Sequence, residues 1–418
     1  MRALCLVGFV YQDKTTNPKA LMKQATSLFA QLLTHFPRTE FQSLVKRFGA
    51  ERYAKGFSCW TQFVSMLFCQ LARAESLREI CYGLECCLGK LNHLGIDRSP
   101  KRSTLSYANE HRPAKFYEAL FFAALNRFRS QNVLGPRQRQ FRFKNRLLLL
   151  DSTVISLCLS LFPWAGFRRR KGAVKLHVVL DHADLMPEFV TITEGKRHEI
   201  PVMKQTMRFT KGSIIVADKG YIDYDSFGRW TEQGVYFVTR LKEDATYDLI
   251  ERKAPTGAGV RADLVIRING PFVKDKCPYD LRVVKFWDEE SQREFTFVTN
   301  HHGLAAATIA AVYKERWKIE TFFRTIKQTL HIKSFVGTTE NALRVQIWTA
   351  LIAMLLLRWM HHLSKAHWNL SVLAAMLRMN LFTYRDLVAW LDHPFGTPPI
   401  GPWADQLAFD LGQQGATS

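Results

Sequence analysis

No two of the eight cysteines (Cys5, Cys59, Cys69, Cys81, Cys86, Cys87, Cys158, Cys277) stand three residues apart, so the chain has no CxxC pair. The His177/His182 spacing therefore lacks the partner a zinc finger needs. Most of these cysteines sit inside apolar runs, which reads as buried, reduced thiols of a cytoplasmic protein. No apolar run reaches the roughly 20 residues that cross a bilayer. The most apolar stretch, Val345–Leu357, lies between Arg344 and Arg358 and reads as a core helix, so no membrane partner is expected. No GxxxxGK[ST] phosphate loop occurs, and no nucleotide cofactor is expected. Internal repeats and low-complexity tracts are absent. Met1–Val10 is apolar with one arginine but lacks a small-residue cleavage site, so it does not read as a signal peptide. Helical patterning begins at Met22, a second candidate start.

Acidic side chains are also scarce. Against 58 Lys+Arg the 418 residues hold 37 Asp+Glu, a net charge of +21. With 47% apolar and 23% charged residues the composition is globular, which excludes whole-chain disorder and leaves room for two or three domains. The charge excludes an ordinary near-neutral metabolic enzyme as the default and points to a polyanion, most often nucleic acid. It is unevenly placed. Residues 1–150 hold 24 basic and 9 acidic side chains, 151–300 hold 23 and 21, 301–350 hold 7 and 3, and 351–418 hold 4 and 4. The N-terminal block is the expected polyanion-binding region.

Apolar spacing predicts helices over 22–130. Ser76 and Glu79 have the capping-box spacing. A turn at Leu94–Pro100 leads to Lys101 and Arg102, two cations ahead of a polar helix start at Ser103–Asn109. That order suits a groove-reading helix-turn-helix; an ordinary helical hairpin with a solvated face is the alternative. Residues 137–146 read as a basic linker. Strand patterns follow at Leu147–Leu150, Lys175–Leu180, Glu188–Ile192, Ile214–Ala217 and Val235–Thr239, with a short helix from Asp223. A strand-rich stretch spans 243–300. Helix returns near Ala305 and continues to about Trp390, before a proline-rich tail.

Two acids share one context. Asp151 ends the apolar run Leu147–Leu150 and Asp218 ends Ile214–Ala217. Such runs read as buried parallel strands, and chemistry in open α/β sheets gathers at their carboxyl ends. If the strands are neighbours, the two carboxylates repel unless they share a cation. A later helix carries Tyr313, Arg316, Glu320 and Lys327, with Arg324 beside them. At about 100° per residue these fall on one stripe, next to an apolar arc of Val312, Ile319, Phe323, Ile326 and Leu330. One acid among cations suits a metal ligand surrounded by phosphate-gripping groups. Three carboxylates make an oxygen site for Mg²⁺ or Mn²⁺, and two ions would serve phosphoryl transfer.

The pattern Tyr313-x2-Arg316-x3-Glu320-x6-Lys327 resembles the YREK signature of bacterial insertion-sequence transposases of the DDE superfamily, the insertion-sequence-four group. Asp151-Ser-Thr, Asp218-Lys-Gly-Tyr221, Phe237-Val-Thr-Arg240 and Ser103–Arg112 are similar to that family as well, and the resemblance covers most of residues 22–390. It implies an α/β fold: a ribonuclease-H-like catalytic domain with a β-rich insertion, preceded by a helical N-terminal domain and followed by a helical C-terminal region. The divisions implied are 1–140, helical, basic and DNA-end-binding; 141–242, the first part of the catalytic domain; 243–300, the insertion; 301–335, the catalytic helix; and 336–418, a helical region with a loose tail. It implies Asp151, Asp218 and Glu320 as catalytic, metal-binding acids. It further implies metal-dependent cleavage at element ends and transfer of the freed 3′-hydroxyl into target DNA, with Tyr313, Arg316 and Lys327 holding DNA and a homodimer forming on it. Arg324, Arg168, Arg169, Arg170, Lys101 and Arg102 are further expected DNA contacts. Lys175 and His177 read as exposed residues of a two-periodic strand, orientation toward Asp151 being the alternative. Asp181, Asp184 and Glu188 are rival acids, ranked lower because they sit in a turn or just beyond it. A nuclease without strand joining and a non-catalytic DNA-binding derivative are the competing functions.

Overall fold

Serine hydroxyls start three of the N-terminal helices. Ser27, Ser58 and Ser76 each accept a hydrogen bond from the amide three residues on, satisfying a donor that the first helical turn leaves free. The Ser76 hydroxyl also donates to the Glu79 carboxylate at 3.0 Å. The computed structural model describes residues 26–398, except 53, 55, 88, 135–139, 159, 169–170, 271–272, 274 and 330–334. Six α-helices come first: α1 (Leu28–Leu33), α2 (Arg38–Phe48), α3 (Cys59–Ala72), α4 (Leu77–Glu85), α5 (Arg102–His111) and α6 (Ala114–Ser130). Helix α3 is apolar almost all round and correspondingly buried, as the core helix of a bundle should be. Phe41 packs edge-on against Trp60 and Phe116, with ring centroids 5.0 and 5.1 Å apart.

Two expectations are corrected here. Helices α4 and α5 are separated by residues 86–101, which include a 3₁₀ turn at Leu91–Leu94. That connection is longer than the three- or four-residue turn of a helix-turn-helix, so the pair is a looser helical hairpin. Cys59, Cys69, Cys81 and Cys277 are buried as expected, but Cys86 and Cys158 are exposed.

A single mixed sheet forms the centre. Its strands are β1 (Leu147–Leu157), β2 (Gly166–Arg168), β3 (Lys171–Asp181), β4 (Pro187–Glu194), β5 (Ile214–Ala217), β6 (Tyr236–Arg240), β7 (Tyr247–Lys253), β8 (Val260–Ile268), β9 (Leu281–Asp288) and β10 (Arg293–Thr299). Helix α7 (Glu199–Thr206) precedes β5, and α8 (Tyr224–Glu232) joins β5 to β6. The order is β2-β3-β1-β5-β6-β10-β9-β8-β7, with β4 also on the outer edge of β3. β1, β5 and β6 run parallel; β3 is antiparallel to β1, and β10 to β6. The strand-rich segment after 243 thus extends the same sheet through the β10–β6 pairing. Its outermost strand, β7, exposes Asp248, Glu251 and Arg252, charges that discourage another strand from adding at the edge.

Side chains alternate cleanly across β1. Leu147 and Leu149 join the large core shared with the N-terminal and C-terminal helices, whereas Leu148 and Leu150 join a second core under α7 and α8. Over the first face lie α9 (Ala306–Lys314), α10 (Trp317–Thr329) and α11 (Glu340–Leu363), followed by α12 (Leu370–Asn380) and α13 (Leu387–Asp392). The apolar Val345–Leu357 lies inside α11. At 24 residues this helix is longer than the apolar stretch and has the length and composition to cross a membrane, yet its most apolar window is 89% buried within the protein. It is the spine of the helical layer.

Candidate active site

Strand parity decides where the acids point. Leu150 of β1 is the register partner of Ala217 of β5, and Asp151 and Asp218 come next on each chain. Asp151 continues the parity of Leu147 and Leu149, toward α10. It does not end its strand: β1 runs on to Leu157, and Asp151 marks where pairing with β5 stops. Asp218 lies just beyond β5, leading into a 3₁₀ turn at Lys219–Tyr221.

The expected single helical stripe is corrected. Helix α9 ends at Lys314 and α10 begins at Trp317. Across the junction, the amides of Arg316, Lys318 and Ile319 bond to carbonyls three residues back, those of Tyr313, Glu315 and Arg316, a tight 3₁₀ turn. The turn still brings Tyr313 and Arg316 to the acids, sets Glu320 against Arg316, and lays Lys327 on β1 just beyond Asp151. The Tyr313 hydroxyl lies 3.5 Å from Asp218 Oδ1. Arg316 places Nη1 3.3 Å from Asp151 Oδ2 and Nη2 2.8 Å from Glu320 Oε1. Lys327 Nζ donates to the Thr153 hydroxyl at 2.6 Å and to the Val154 carbonyl at 2.9 Å. Arg316 and Tyr313 are buried, and Ile319, Phe322, Phe323 and Ile326 anchor α10 in the core.

Burial raises the Asp151 carboxyl to about 6, and the charges of Asp218 and Glu320 push the same way; the Ser152 amide and Arg316 pull against them. Arg316 is the counter-ion that makes this gathering of acids tolerable. Among the described residues, no three His, Cys, Asp or Glu side chains stand close enough to hold an ion, and Arg316 occupies the space between Asp151 and Glu320. By chemistry the donors are hard carboxylates at neighbouring sheet positions, the set that Mg²⁺ or Mn²⁺ prefers.

Other expected contacts scatter. Arg324 is exposed on α10. Lys101 and Arg102 are exposed at the start of α5, where with Arg78 and Arg98 they line a cavity of about 760 Å³. Arg168 ends β2, and Arg169 and Arg170 lie outside the described residues. Lys175 and His177 are neither exposed nor turned to Arg316. They share the parity of Ser152, opposite to that of Asp151; Lys175 pairs with Glu199 at 2.9 Å, and the fully buried His177 meets the Thr193 hydroxyl at 3.0 Å. The rival acids lie toward the other end of β3. Asp181 is held by Arg146 at 2.6 Å, Asp184 by Arg129 at 2.6 Å, and Glu188 by both arginines.

Two neighbours of the acids were given no site role by the sequence reading. Arg240, quoted there only as part of the Phe237–Arg240 segment, lies 3.3 Å from Asp218; its position at the end of the strand beside β5 was the available signal. Glu199 accepts from Ser152 and Lys175 behind Asp151, and nothing in its local sequence singles it out.

A family model described as a transposase DDE domain matches residues 142–356, a span that contains all three acids. The "Probable transposase for insertion sequence element IS5377" of Geobacillus stearothermophilus is 33% identical over 238 residues, 56% of this chain and 62% of that protein. A Sinorhizobium fredii protein whose name also describes it as a transposase, y4zB, is 33% identical over 316 residues, 73% of this chain and 83% of its own length. The chain belongs to the DDE transposases of bacterial insertion sequences. Phosphoryl transfer on DNA is the general activity of this family, and divalent metal ions are its usual cofactors. Residues 24–97 of this transposase, α1 to α4 and the turn after them, match a second family model whose function is not known.

Proposed function

We propose that this transposase belongs to the insertion-sequence-four group and moves DNA by a cut-and-paste route. Asp151, Asp218 and Glu320 are its catalytic acids, and element ends are its substrate. The observation that carries the reading is the pairing of Leu150 with Ala217, which sets Asp151 and Asp218 side by side, under a helix whose Glu320 reaches the same arginine as Asp151. The β4-β3-β1-β5-β6 order, with β1, β5 and β6 parallel and β3 reversed, supports a ribonuclease-H-like catalytic domain formed by 141–242 and 301–335. On this reading 243–300 is its insertion, 1–140 binds DNA ends and the described part of the C-terminal region, 336–398, buttresses the site.

The three acids would hold Mg²⁺ or Mn²⁺, two ions per site, and such ions activate the attacking oxygen and stabilise the leaving one. The chain's own groups do the rest. The Arg316 guanidinium, now shared between Asp151 and Glu320, would grip a DNA phosphate, which its planar fork suits. Lys327 and the exposed Arg324 add charge along the same helix, and the Tyr313 hydroxyl orients Asp218. A cytoplasmic homodimer assembled on two DNA ends is the expected working form.

The test is cleavage of element-end DNA in Mg²⁺ by Asp151→Asn, Asp218→Asn and Glu320→Gln. Each should lose cleavage and keep end binding; full cleavage by any of them removes the assignment. Pre-cut ends offered with target DNA distinguish a transposase, which joins them, from a nuclease, which does not. Metal-dependent cleavage by the wild type excludes a non-catalytic DNA-binding derivative.

A further inference from the structure

A cavity of about 900 Å³ opens at the N-terminal end of β1, beside Leu147. Asp151 is four strand steps from Leu147, so the two sites lie on the order of 13 Å apart along the strand. The cavity is walled on one side by Phe143 and Lys144, on another by the last turns of α11 and the loop after it, with Arg358, His362, His367 and Trp368.

Most charges around it are already matched. Arg146 is bound to Asp181 and Glu188, and Lys318 to Glu315 at 2.5 Å. Arg358 is not. It projects from near the C-terminal end of the core helix α11, forms no ion pair among the described residues, and its Nε is buried without a hydrogen-bond partner. Asp184 is the acid whose charge it feels, but Asp184 is committed to Arg129 at 2.6 Å. Lys144, exposed at the rim, also has no acid partner among the described residues. A half-buried guanidinium with an orphaned donor is costly to keep, and replacing it with an apolar residue would be the simpler way to build a helix core. Its retention beside a second unmatched cation and two histidines makes sense if an anion completes the set. The aromatic walls, Phe143 and Trp368, suit the flat face of a base or sugar next to that anion.

We propose that this cavity is a second nucleic-acid site, in which Arg358 and Lys144 take a backbone phosphate of a DNA strand away from the three acids. The identity of the strand as DNA rests on the proposed function; the anion site itself does not. Arg358 supplies the buried charge-assisted hydrogen bonds and Lys144 the rim charge. The strand would run along the α10 side of β1, where Lys318 and Lys327 bracket Glu320 in sequence.

The experiment uses the full chain in chloride buffer at fixed ionic strength, with inorganic phosphate and a twelve-residue thymidine oligonucleotide as probes. Melting temperature reports both, and fluorescence anisotropy reports the oligonucleotide. Wild type should be stabilised by each probe. Arg358→Met should melt higher than wild type without probe, because it removes an unmatched charge, and should lose the phosphate response. Its oligonucleotide affinity should fall about tenfold, the loss expected for charged hydrogen bonds. Lys144→Ala, at an exposed position that does not endanger folding, should weaken both probes in the same direction and decides the matter if Arg358→Met does not fold. Wild-type responses to both probes in both variants overturn the site. A response to phosphate with none to the oligonucleotide overturns the nucleic-acid assignment in favour of a small free anion. Asp151→Asn and Glu320→Gln should keep both responses. If those variants cleave normally while Arg358→Met loses its responses, the catalytic reading fails and the anion site stands.

Discussion

Arg316 and Asp151 meet at 3.3 Å, Nη1 to Oδ2, across 165 residues of chain, and the other arm of the same guanidinium holds Glu320 at 2.8 Å. One side chain thus bridges two acids and offsets part of their repulsion. Arg316→Gln should destabilise the metal-free protein by about 1–3 kcal/mol, the usual result of leaving buried charged groups without a partner. Millimolar Mg²⁺ should return part of that loss, and return more to the variant than to wild type, because a cation replaces the missing guanidinium. Melting curves in chelator and in Mg²⁺ read both effects. Equal metal responses in the two proteins would mean that Arg316 and the metal do not compete for the same acids.

Asp151 makes a prediction of opposite sign. Burial pushes its carboxyl up from an ordinary 3.8 to about 6 in the fold. The unfolded chain therefore releases this proton first, and ionisation penalises the folded state as pH rises from about 4 to about 6. Above that the penalty is fully present, with a ceiling of roughly 3 kcal/mol. Asp151→Asn should melt above wild type at pH 7.5, with the gap closing toward pH 4. A carboxylate whose removal stabilises the protein is one retained for activity.

His35 and His177 act the other way again. Burial holds each near pH 4, assisted by Arg127 and Lys175 respectively. Both are neutral in the fold but take up protons in the unfolded chain below about 6.5. Their contribution is complete above 6.5 and is lost as pH falls toward 4. Between urea midpoints measured at pH 7 and pH 5, wild type should lose more stability than His177→Gln, by on the order of 2 kcal/mol. Comparing variant with wild type cancels the contribution of Asp151 in the same window.

The parts legible in the sequence were those whose burial is local. Leu147–Leu150 and Ile214–Ala217 read as buried strands because every residue in each is apolar, and every one is buried. The acids that follow needed no tertiary information. The break between α9 and α10 was invisible, since no glycine or proline marks it and the spacing of Tyr313, Arg316 and Glu320 satisfies an unbroken helix as well. Lys175 and His177 were misread because two-residue periodicity gives parity but not the side on which a helix covers the sheet; α7 covers theirs. Strand β7 went unseen because an exposed edge strand needs no apolar alternation, and Asp248, Glu251 and Arg252 show none. The joining of 243–300 to the main sheet depends on β10 finding β6, a pairing that no local pattern encodes.

The N-terminal helices yield a prediction about salt. Arg78, Arg98, Lys101 and Arg102 surround one cavity, against Glu85 and Asp97. If this basic rim meets DNA through phosphates, affinity should fall steeply with ionic strength, and the double change Lys101→Glu with Arg102→Glu should flatten the log–log slope by about 2. Anisotropy titrations from low to moderate salt measure the slope. An unchanged slope would place end binding elsewhere on the chain.

The Asp263–Arg282 pair tests how β8 and β9 support the site. Arg282 binds Asp263 through two parallel contacts, 2.8 and 2.7 Å, with both side chains almost fully buried. Its remaining nitrogen donates to the carbonyls of His302, at 3.1 Å, and Leu304, in the loop that leads into α9 and so to Tyr313. Asp263→Asn leaves a buried guanidinium without its counter-charge and should cost about 3–5 kcal/mol. The double change Asp263→Leu with Arg282→Met removes both charges and should recover most of that loss. It also removes the tether to His302 and Leu304. The double variant should therefore fold almost as stably as wild type yet position Tyr313 less well, giving slower cleavage with end binding intact. Full recovery of stability together with wild-type cleavage would show that β9 supports the fold without setting the position of the helix over the acids.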